Sequence, residues 1–95
     1  MDINRLFNID GKTALITGGS RGIGEMIAAG FLANGVKVYI TARKEAPLLE
    51  KAKELSEKFN GECIAIPCDL SNMEGIQKLA SDYLNHEDSL DILVN

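Results

Sequence analysis

A glycine-rich turn placed between a short apolar run and a helix-patterned segment most constrains the fold of this chain. Residues 17–24 read TGGSRGIG, and they follow the apolar run that ends at Ile16. Backbone N–H groups at the start of a helix have no partner within the helix and carry the positive end of its dipole, so they bind an anion without a charged side chain. The pattern therefore predicts a strand, a phosphate-binding turn and the start of a helix.

Four β-prone runs alternate with three helical patterns along the chain. The strands are predicted at Lys12–Thr17, Val36–Thr41, Glu62–Pro67 and Leu90–Val94. This alternation is typical of right-handed crossovers and a parallel sheet covered on both faces. The predicted fold class is α/β, a Rossmann-type doubly wound parallel sheet, which binds ligands at the carboxyl ends of its strands. The glycine turn lies at such an end.

Apolar residues at helical spacing predict one buried face for each helix. The ends of the first two helices are predicted at Asn34-Gly35 and Asn60-Gly61, since these residues tolerate the left-handed conformation. A capping box of Ser71 and Glu74 is predicted at the start of the third. The predicted faces are Ile23, Ile27, Gly30 and Phe31; then Leu48, Ala52, Leu55 and Phe59; then Met73, Ile76, Ala80, Tyr83 and Leu84.

Composition and charge narrow the classes of partner. The 95 residues, 45% hydrophobic and 25% charged, suit one domain at most. A net charge of -4 argues against a nucleic-acid binder, so small molecules are the expected partners. No apolar run approaches the roughly 20 residues that span a bilayer, and the first residues lack the order of a signal peptide, so we expect a cytoplasmic protein without membrane contact. Leu6, Phe7 and Ile9 are expected against the sheet edge.

Cysteine and histidine offer no metal site. Cys63 and Cys68 are the only cysteines, and we expect both to be small buried hydrophobic residues rather than a disulfide or a metal pair. His86 is the only histidine and lies in a polar stretch, which predicts a solvated loop residue.

The spacing of the glycines points to a family. Gly18, Gly22 and Gly24 do not fit the G-x-G-x-x-G fingerprint of dinucleotide-binding proteins, and the Lys-Ser/Thr ending of a P-loop is missing. The pattern T-G-x-x-x-G-x-G instead resembles the nicotinamide-binding turn of the short-chain dehydrogenase/reductase family. The resemblance implies that the turn binds the cofactor through Gly18, Ser20, Arg21, Gly22, Ile23 and Gly24.

The end of the second predicted strand bears on the choice of cofactor. NAD sites usually place an Asp or Glu about 20 residues beyond the glycines, whereas NADP sites replace it with a neutral residue and a nearby cation. Here residues 41–44 read TARK, and Arg43 can offer its planar fork to a 2′-phosphate, with Arg21 approaching from the other side. The alternative is that Arg43 and Lys44 are solvated residues at a helix start. We expect NADP (NADPH).

The resemblance extends along essentially the whole chain. Asp69 and Leu70 look like the family's Asp-Val/Leu pair, in which the carboxylate accepts a hydrogen bond from the adenine amino group and the next backbone group assists. The alternative is that Asp69 and Ser71 merely cap a helix. Residues 90–95, LDILVN, look like the approach to the family's Asn-Asn-Ala-Gly motif, which implies that Asn95 lies beside the adenosine ribose.

The family implies an NADP(H)-dependent oxidoreductase that transfers hydride between nicotinamide and a carbonyl or alcohol substrate. A tyrosine whose pKa is lowered by a lysine would donate the proton. The family's catalytic Ser, Tyr-x-x-x-Lys pair and further Asn lie beyond residue 95, and neither Tyr39 nor Tyr83 is followed by Lys four positions later. We therefore expect no catalytic residue here, and we interpret residues 1–95 as the amino-terminal part of one dinucleotide-binding domain. The family commonly forms homodimers and homotetramers.

The substrate and two rival readings stay open at this point. The turn together with Thr41-Ala42-Arg43 is similar to that of 3-oxoacyl reductases, including those that supply glycolipid synthesis, so a 3-oxoacyl thioester is a candidate substrate. One alternative is a redox-inactive NADP-binding regulatory module. The other is a doubly wound protein whose turn binds a different phosphate ligand, such as a sugar nucleotide.

Overall fold

The computed structural model describes residues 9–19 and 22–95, and it confirms the predicted α/β fold. Each strand lies within two residues of its predicted bounds at either end. Ser20 and Arg21 of the turn, and Leu6 and Phe7 before the first strand, lie outside the described residues. The elements in chain order are β1 (Thr13–Thr17), α1 (Gly22–Ala33), β2 (Lys37–Ala42), α2 (Glu45–Phe59), β3 (Cys63–Pro67), α3 (Met73–Leu84) and β4 (Ile92–Val94).

The four strands form one parallel sheet in the order β3-β2-β1-β4. Leu15 of β1 pairs with Tyr39 of β2 on one side and with Leu93 of β4 on the other. The chain thus moves outward from β1 to β3 and then crosses to the opposite side of β1. This reversal of strand order places a ligand-binding crevice at the carboxyl end of β1, where the glycine turn begins.

Successive side chains of a strand point to opposite faces of the sheet, so both faces present apolar residues. Helices cover each of these faces. Helices α1 and α2 cover the face that presents Ile16 and Ile40, and Ile9 packs against the same core. Helix α3 covers the face that presents Leu15 and Tyr39. The sheet is therefore doubly wound, as the alternating sequence pattern predicts.

The predicted ends of the first two helices are confirmed. Gly35 has φ +80° and Asn60 has φ 50°, both in the left-handed region. The backbone N–H of Asn60 donates to the carbonyl of Ser56, which closes the last turn of α2.

The predicted capping box at the third helix is wrong. Asn72 is the N-cap, and its Oδ1 accepts a hydrogen bond from the backbone N–H of Gly75 at 2.7 Å. Ser71 lies one residue too early to cap α3 and donates to Asp69 instead. Both Ser and Asn suit the N-cap position, and the position of the first helical residue decides between them.

The predicted apolar faces are confirmed for α2 and only partly for α1. Leu48, Ala52 and Leu55 of α2 are buried. In α1 the buried residues are Ala28 and Leu32. The prediction for Ile23 is wrong, since 76% of it is exposed, and Gly30 is exposed as well.

The face predicted for α3 is also partly wrong. Leu79 and Tyr83 are buried against the sheet, whereas Met73, Ile76 and Leu84 are exposed. Apolar residues form more than one stripe around α1 and α3, so periodicity alone does not say which stripe meets the sheet.

The burial of the two cysteines and the exposure of the histidine are confirmed. Cys63 and Cys68 are buried free thiols, and burial raises the pKa of Cys63 to about 11. His86 is exposed. Within residues 9–19 and 22–95, no group of three or more His, Cys, Asp or Glu side chains is placed to hold a metal ion. None of the helices within these ranges combines the length and the apolar composition of a membrane-spanning segment.

Candidate functional site: a cleft at the carboxyl ends of the strands

The predicted binding residues follow the carboxyl ends of the strands. Gly18 follows β1 directly, Arg43 follows β2, and Asp69 comes two residues after β3. The backbone N–H of Gly18 donates to the carbonyl of Thr41 at 2.9 Å, which ties the glycine turn to the end of β2. Because parallel strands end at one edge of a sheet, residues far apart in sequence meet there.

The glycine turn has the geometry that close backbone packing requires. Gly18 has φ +73°, a conformation that other residues rarely adopt, and a Cβ placed on it would meet nothing within 4 Å. A Cβ on Gly24 would lie 2.5 Å from the carbonyl oxygen of Gly18. The first turn of α1 therefore packs directly on the backbone of the glycine turn.

One cleft unites four of the predicted residues. It has a volume of about 310 Å³, and Gly18, Arg43, Asp69 and Leu70 line it. Its remaining lining is Thr41, Ala42, Cys68 and Ser71. A larger cleft of about 570 Å³ shares Gly18, Ala42 and Arg43 with it, and Lys44, Pro47, Glu50, Lys51 and Glu54 complete that lining. Arg43 thus borders both clefts.

Asp69 is held as an ionised carboxylate in the smaller cleft. Its Oδ1 accepts hydrogen bonds from the Ser71 hydroxyl at 2.6 Å and from the Ser71 backbone N–H at 2.9 Å. These bonds, with a smaller contribution from the charge of Arg43, lower the pKa of Asp69. Asp69 does not cap α3, because Asn72 does. A carboxylate in this state can only accept hydrogen bonds.

Lys51 is a residue of the site that sequence reasoning missed. Its Nζ lies 2.8 Å from Glu25 Oε1 and 3.1 Å from Glu54 Oε2, and these bonds raise the pKa of Lys51. Glu25 belongs to the first turn of α1, next to the glycine turn. The pair joins residues 26 positions apart, so no local pattern signals it.

Gly75 is a second missed residue, and here the sequence did carry a signal. A Cβ on Gly75 would overlap the carbonyl oxygen of Asp69. A lone glycine inside a helical pattern is less favourable than alanine, so it points to a packing or functional reason. The approach is to the residue that lines the cleft.

Asn95 is not brought into either cleft. Its Oδ1 lies 3.4 Å from Thr17 Oγ1, which also donates to the carbonyl of Val94 at 3.3 Å. Asn95 lines a third, apolar groove with Leu70 and Leu93, and Leu70 also lines the smaller cleft. The structure thus attaches Asn95 to the carboxyl end of β1, and Asn95 is not part of the lining of either cleft.

The two tyrosines lie toward the opposite ends of the strands. Tyr39 is buried and its hydroxyl donates to Glu87 Oε2 at 2.5 Å, while Lys37 Nζ binds the same oxygen at 2.6 Å. Burial, together with the Glu87 hydrogen bond, raises the pKa of Tyr39 to about 12. Tyr83 is also buried and donates to the carbonyl of Ser89 at 2.6 Å.

Comparison with known proteins agrees with a nucleotide-binding α/β domain. The family model described as short chain dehydrogenase matches residues 12–95, so the chain belongs to the short-chain dehydrogenase family. A curated relative is the rhamnolipids biosynthesis 3-oxoacyl-[acyl-carrier-protein] reductase of Pseudomonas aeruginosa, 47% identical over 89 residues, which are 94% of this chain and 34% of that protein. The chain spans about a quarter to a third of the length of the curated relatives it matches.

Solved structures of similar proteins have the same fold as this chain. The Pseudomonas aeruginosa RhlG/NADP active-site complex superposes with a TM-score of 0.88 at 47% identity, covering 94% of this chain and 35% of that one. The L-sorbose reductase of Gluconobacter frateurii, complexed with NADPH and L-sorbose, superposes with a TM-score of 0.88 at 38% identity. The match covers 93% of this chain and 34% of that one.

Proposed function

We propose that this chain forms the adenosine- and pyrophosphate-binding part of an NADP(H)-dependent oxidoreductase. The reaction is hydride transfer between nicotinamide and a carbonyl or alcohol substrate. The observation that carries the proposal is the cleft that unites the glycine turn, Arg43 and the Asp69-Leu70 pair at the carboxyl ends of the strands. The membership of the chain in an oxidoreductase family supports the redox part.

The pyrophosphate would bind at the glycine turn. Gly18 and Gly24 keep backbone against backbone there, and Cβ atoms would strain the first and collide at the second. Helix N–H groups at Gly22 and Ile23 then supply donors and the positive end of the dipole. Ser20 and Arg21 belong to this proposal through the family resemblance of the turn.

Arg43 would bind the 2′-phosphate that distinguishes NADP from NAD. It borders both clefts, and residues 41–44 hold no carboxylate that could accept a ribose hydroxyl instead. A guanidinium binds a phosphate through two parallel hydrogen bonds. The NADP and NADPH complexes of structurally similar proteins support this choice of cofactor.

Asp69 and Leu70 would bind the adenine. The carboxylate is ionised and open to an amino donor in the smaller cleft, and the half-buried Leu70 adds apolar lining. The proposed contact of Asn95 with the ribose rests on the family resemblance, since Asn95 lines neither cleft.

The chemistry divides between cofactor and protein. Bound NADPH supplies the hydride, and the residues of this chain fix the adenosine half so that the reactive ring has one orientation over the substrate. The proton donor is proposed to follow residue 95. The cytoplasmic location and a homodimer or homotetramer are further parts of the proposal, and they rest on the sequence and the family resemblance alone.

A 3-oxoacyl thioester is the proposed substrate, because the relative that is 47% identical is described as a 3-oxoacyl reductase. The test is to incubate the intact protein with NADPH and either a 3-oxoacyl thioester or L-sorbose, and to follow NADPH oxidation. Oxidation with the thioester is the expected result. Oxidation of NADPH with L-sorbose but not with the thioester would overturn the substrate proposal. Binding of NADPH without its oxidation by either compound would favour a redox-inactive regulatory module over an enzyme.

A further inference from the structure

The start of α3 lies unusually close to the backbone of Asp69. A Cβ on Gly75 would overlap the Asp69 carbonyl oxygen and would lie 2.7 Å from the Asp69 carbonyl carbon. Glycine is unfavourable within a helix relative to alanine. Glycine at position 75 therefore leaves space next to Asp69 that alanine would fill, although alanine would favour the helix more.

Hydrogen bonds fix the same segment from the other side. Ser71 donates its hydroxyl and its N–H to Oδ1 of Asp69, and Asn72 accepts from the N–H of Gly75. Both Ser71 bonds end on one carboxylate oxygen, so they orient the carboxylate without using Oδ2. The backbone of Asp69 is thus set by Gly75 and its side chain by Ser71.

We propose that Gly75 and Ser71 are positioning residues that orient the Asp69 carboxylate toward the 6-amino group of adenine and so set the preference for adenine over a 6-oxopurine. The inference rests on the proposed function, in which Asp69 binds the adenine. An ionised carboxylate accepts from an amino group and repels an oxo group, so the discrimination depends on where the carboxylate points.

The experiment compares the dissociation constants of NADPH and its hypoxanthine analogue for the intact protein. We expect the wild type to prefer NADPH by about tenfold or more, because the analogue leaves the carboxylate facing an acceptor. Gly75→Ala should lower that ratio to about twofold by displacing Asp69. Gly30→Ala is the matched control, since a Cβ there meets nothing within 4 Å, and the ratio should stay at the wild-type value.

Ser71→Ala provides a second variant that leaves the helix backbone untouched. It should also lower the ratio, and Ser71→Thr, which keeps the hydroxyl, should restore it. Asp69→Ala gives the ratio expected without any carboxylate. The Ser71 variants decide the question if Gly75→Ala does not fold.

The outcomes separate the inference from the proposed function. A wild-type ratio near one, or ratios in Gly75→Ala and Ser71→Ala equal to that of the wild type, would overturn the inference while NADPH binding stands. Absence of NADPH binding to the wild type would overturn the proposed function and the inference with it.

Discussion

The two ends of the parallel strands use side chains in opposite ways. At the amino ends, Lys37, Tyr39 and Glu87 satisfy one another through short hydrogen bonds, and Tyr39 is fully buried. At the carboxyl ends, glycines expose backbone and Arg43 is exposed beside an ionised Asp69. A closed network stabilises the fold, whereas an open and charged edge can accept a ligand.

Loop attachment shows the same contrast. Asp91 Oδ2 accepts from the backbone N–H of Thr13 at 2.9 Å, which fixes the connection between α3 and β4 to the start of β1. Tyr83 donates to the carbonyl of Ser89, which fixes the same connection to α3. At the carboxyl ends, the Ser71 bonds fix the carboxylate of Asp69 in a cleft. The comparison predicts that changes at one end alter stability alone, while changes at the other alter binding.

The largest effect is expected from Gly24→Leu at the carboxyl edge. Even the Cβ would lie 2.5 Å from the Gly18 carbonyl oxygen, so α1 must shift away from the turn. We expect a loss of about 2–4 kcal/mol in the free energy of unfolding and at least about a hundredfold loss of NADPH affinity. Denaturant unfolding measures the free energy of unfolding, and titration with NADPH measures the affinity.

Gly30→Leu is the control for this prediction, because it makes the same substitution in the same helix where a Cβ meets nothing within 4 Å. Equal damage from both variants would show that leucine in α1, and not the contact with the turn, causes the loss.

Arg43→Asp should change the choice of cofactor. The variant replaces a phosphate-binding cation by a carboxylate that repels a 2′-phosphate and can accept a ribose hydroxyl. The ratio of NADPH to NADH affinity should fall by about ten- to a hundredfold. Lys12→Asp makes the same charge change next to the start of β1 and should leave the ratio unchanged. If both variants lower the ratio of NADPH to NADH affinity equally, the effect comes from net charge, and Arg43 does not bind the 2′-phosphate.

Glu87→Gln should weaken the fold without affecting the cleft. The Lys37 and Tyr39 hydrogen bonds lower the pKa of Glu87, so its contribution to stability is present above about 4.5, the ordinary value, and is lost as the pH falls through the lower folded value. We expect a loss of about 1–2 kcal/mol at neutral pH, a gap that narrows as the solution is acidified below 4.5.

Urea unfolding across this pH range provides the measurement. Glu62→Gln serves as its control, since 71% of the Glu62 side chain is exposed and its Oε2 lies 3.7 Å from Lys37 Nζ. A gap that does not change with pH, or a change in NADPH affinity, would contradict the separation of the two ends.

The smallest effect is expected from Lys51→Met. Removing the lysine leaves the Glu25 carboxylate unpaired in the first turn of α1, where it repels an incoming pyrophosphate. Affinity for NADPH and NADH should fall equally, by about threefold, and Glu25→Gln in the same chain should restore it. A loss confined to NADPH would mean that Lys51 contacts the 2′-phosphate.

Sequence patterns predict the parts of this molecule that depend on neighbouring residues. The order of strands and helices, the glycine turn and the left-handed helix ends at Gly35 and Asn60 are of this kind. The stripe of α3 that meets the sheet could not be predicted, because apolar residues lie on both sides of Leu79 and only the packing selects between them.

The candidate site divides in the same way. Gly18, Arg43 and Asp69 could be placed at one edge because parallel strands end together. The pairing of Lys51 with Glu25 could not, since it depends on how α1 and α2 pack. Gly75 was the exception, a visible irregularity whose partner only the fold identifies.

The cofactor site at the carboxyl ends of the strands can be tested with ligands that contain only the adenosine half of the cofactor. We would measure the dissociation constants of ADP-ribose and 2′-phospho-ADP-ribose for the intact protein by isothermal titration calorimetry. We expect that both ligands bind and that the 2′-phosphate improves affinity by about tenfold or more. Equal affinities, or no binding of either ligand, would contradict a site for NADP at the carboxyl ends of the strands.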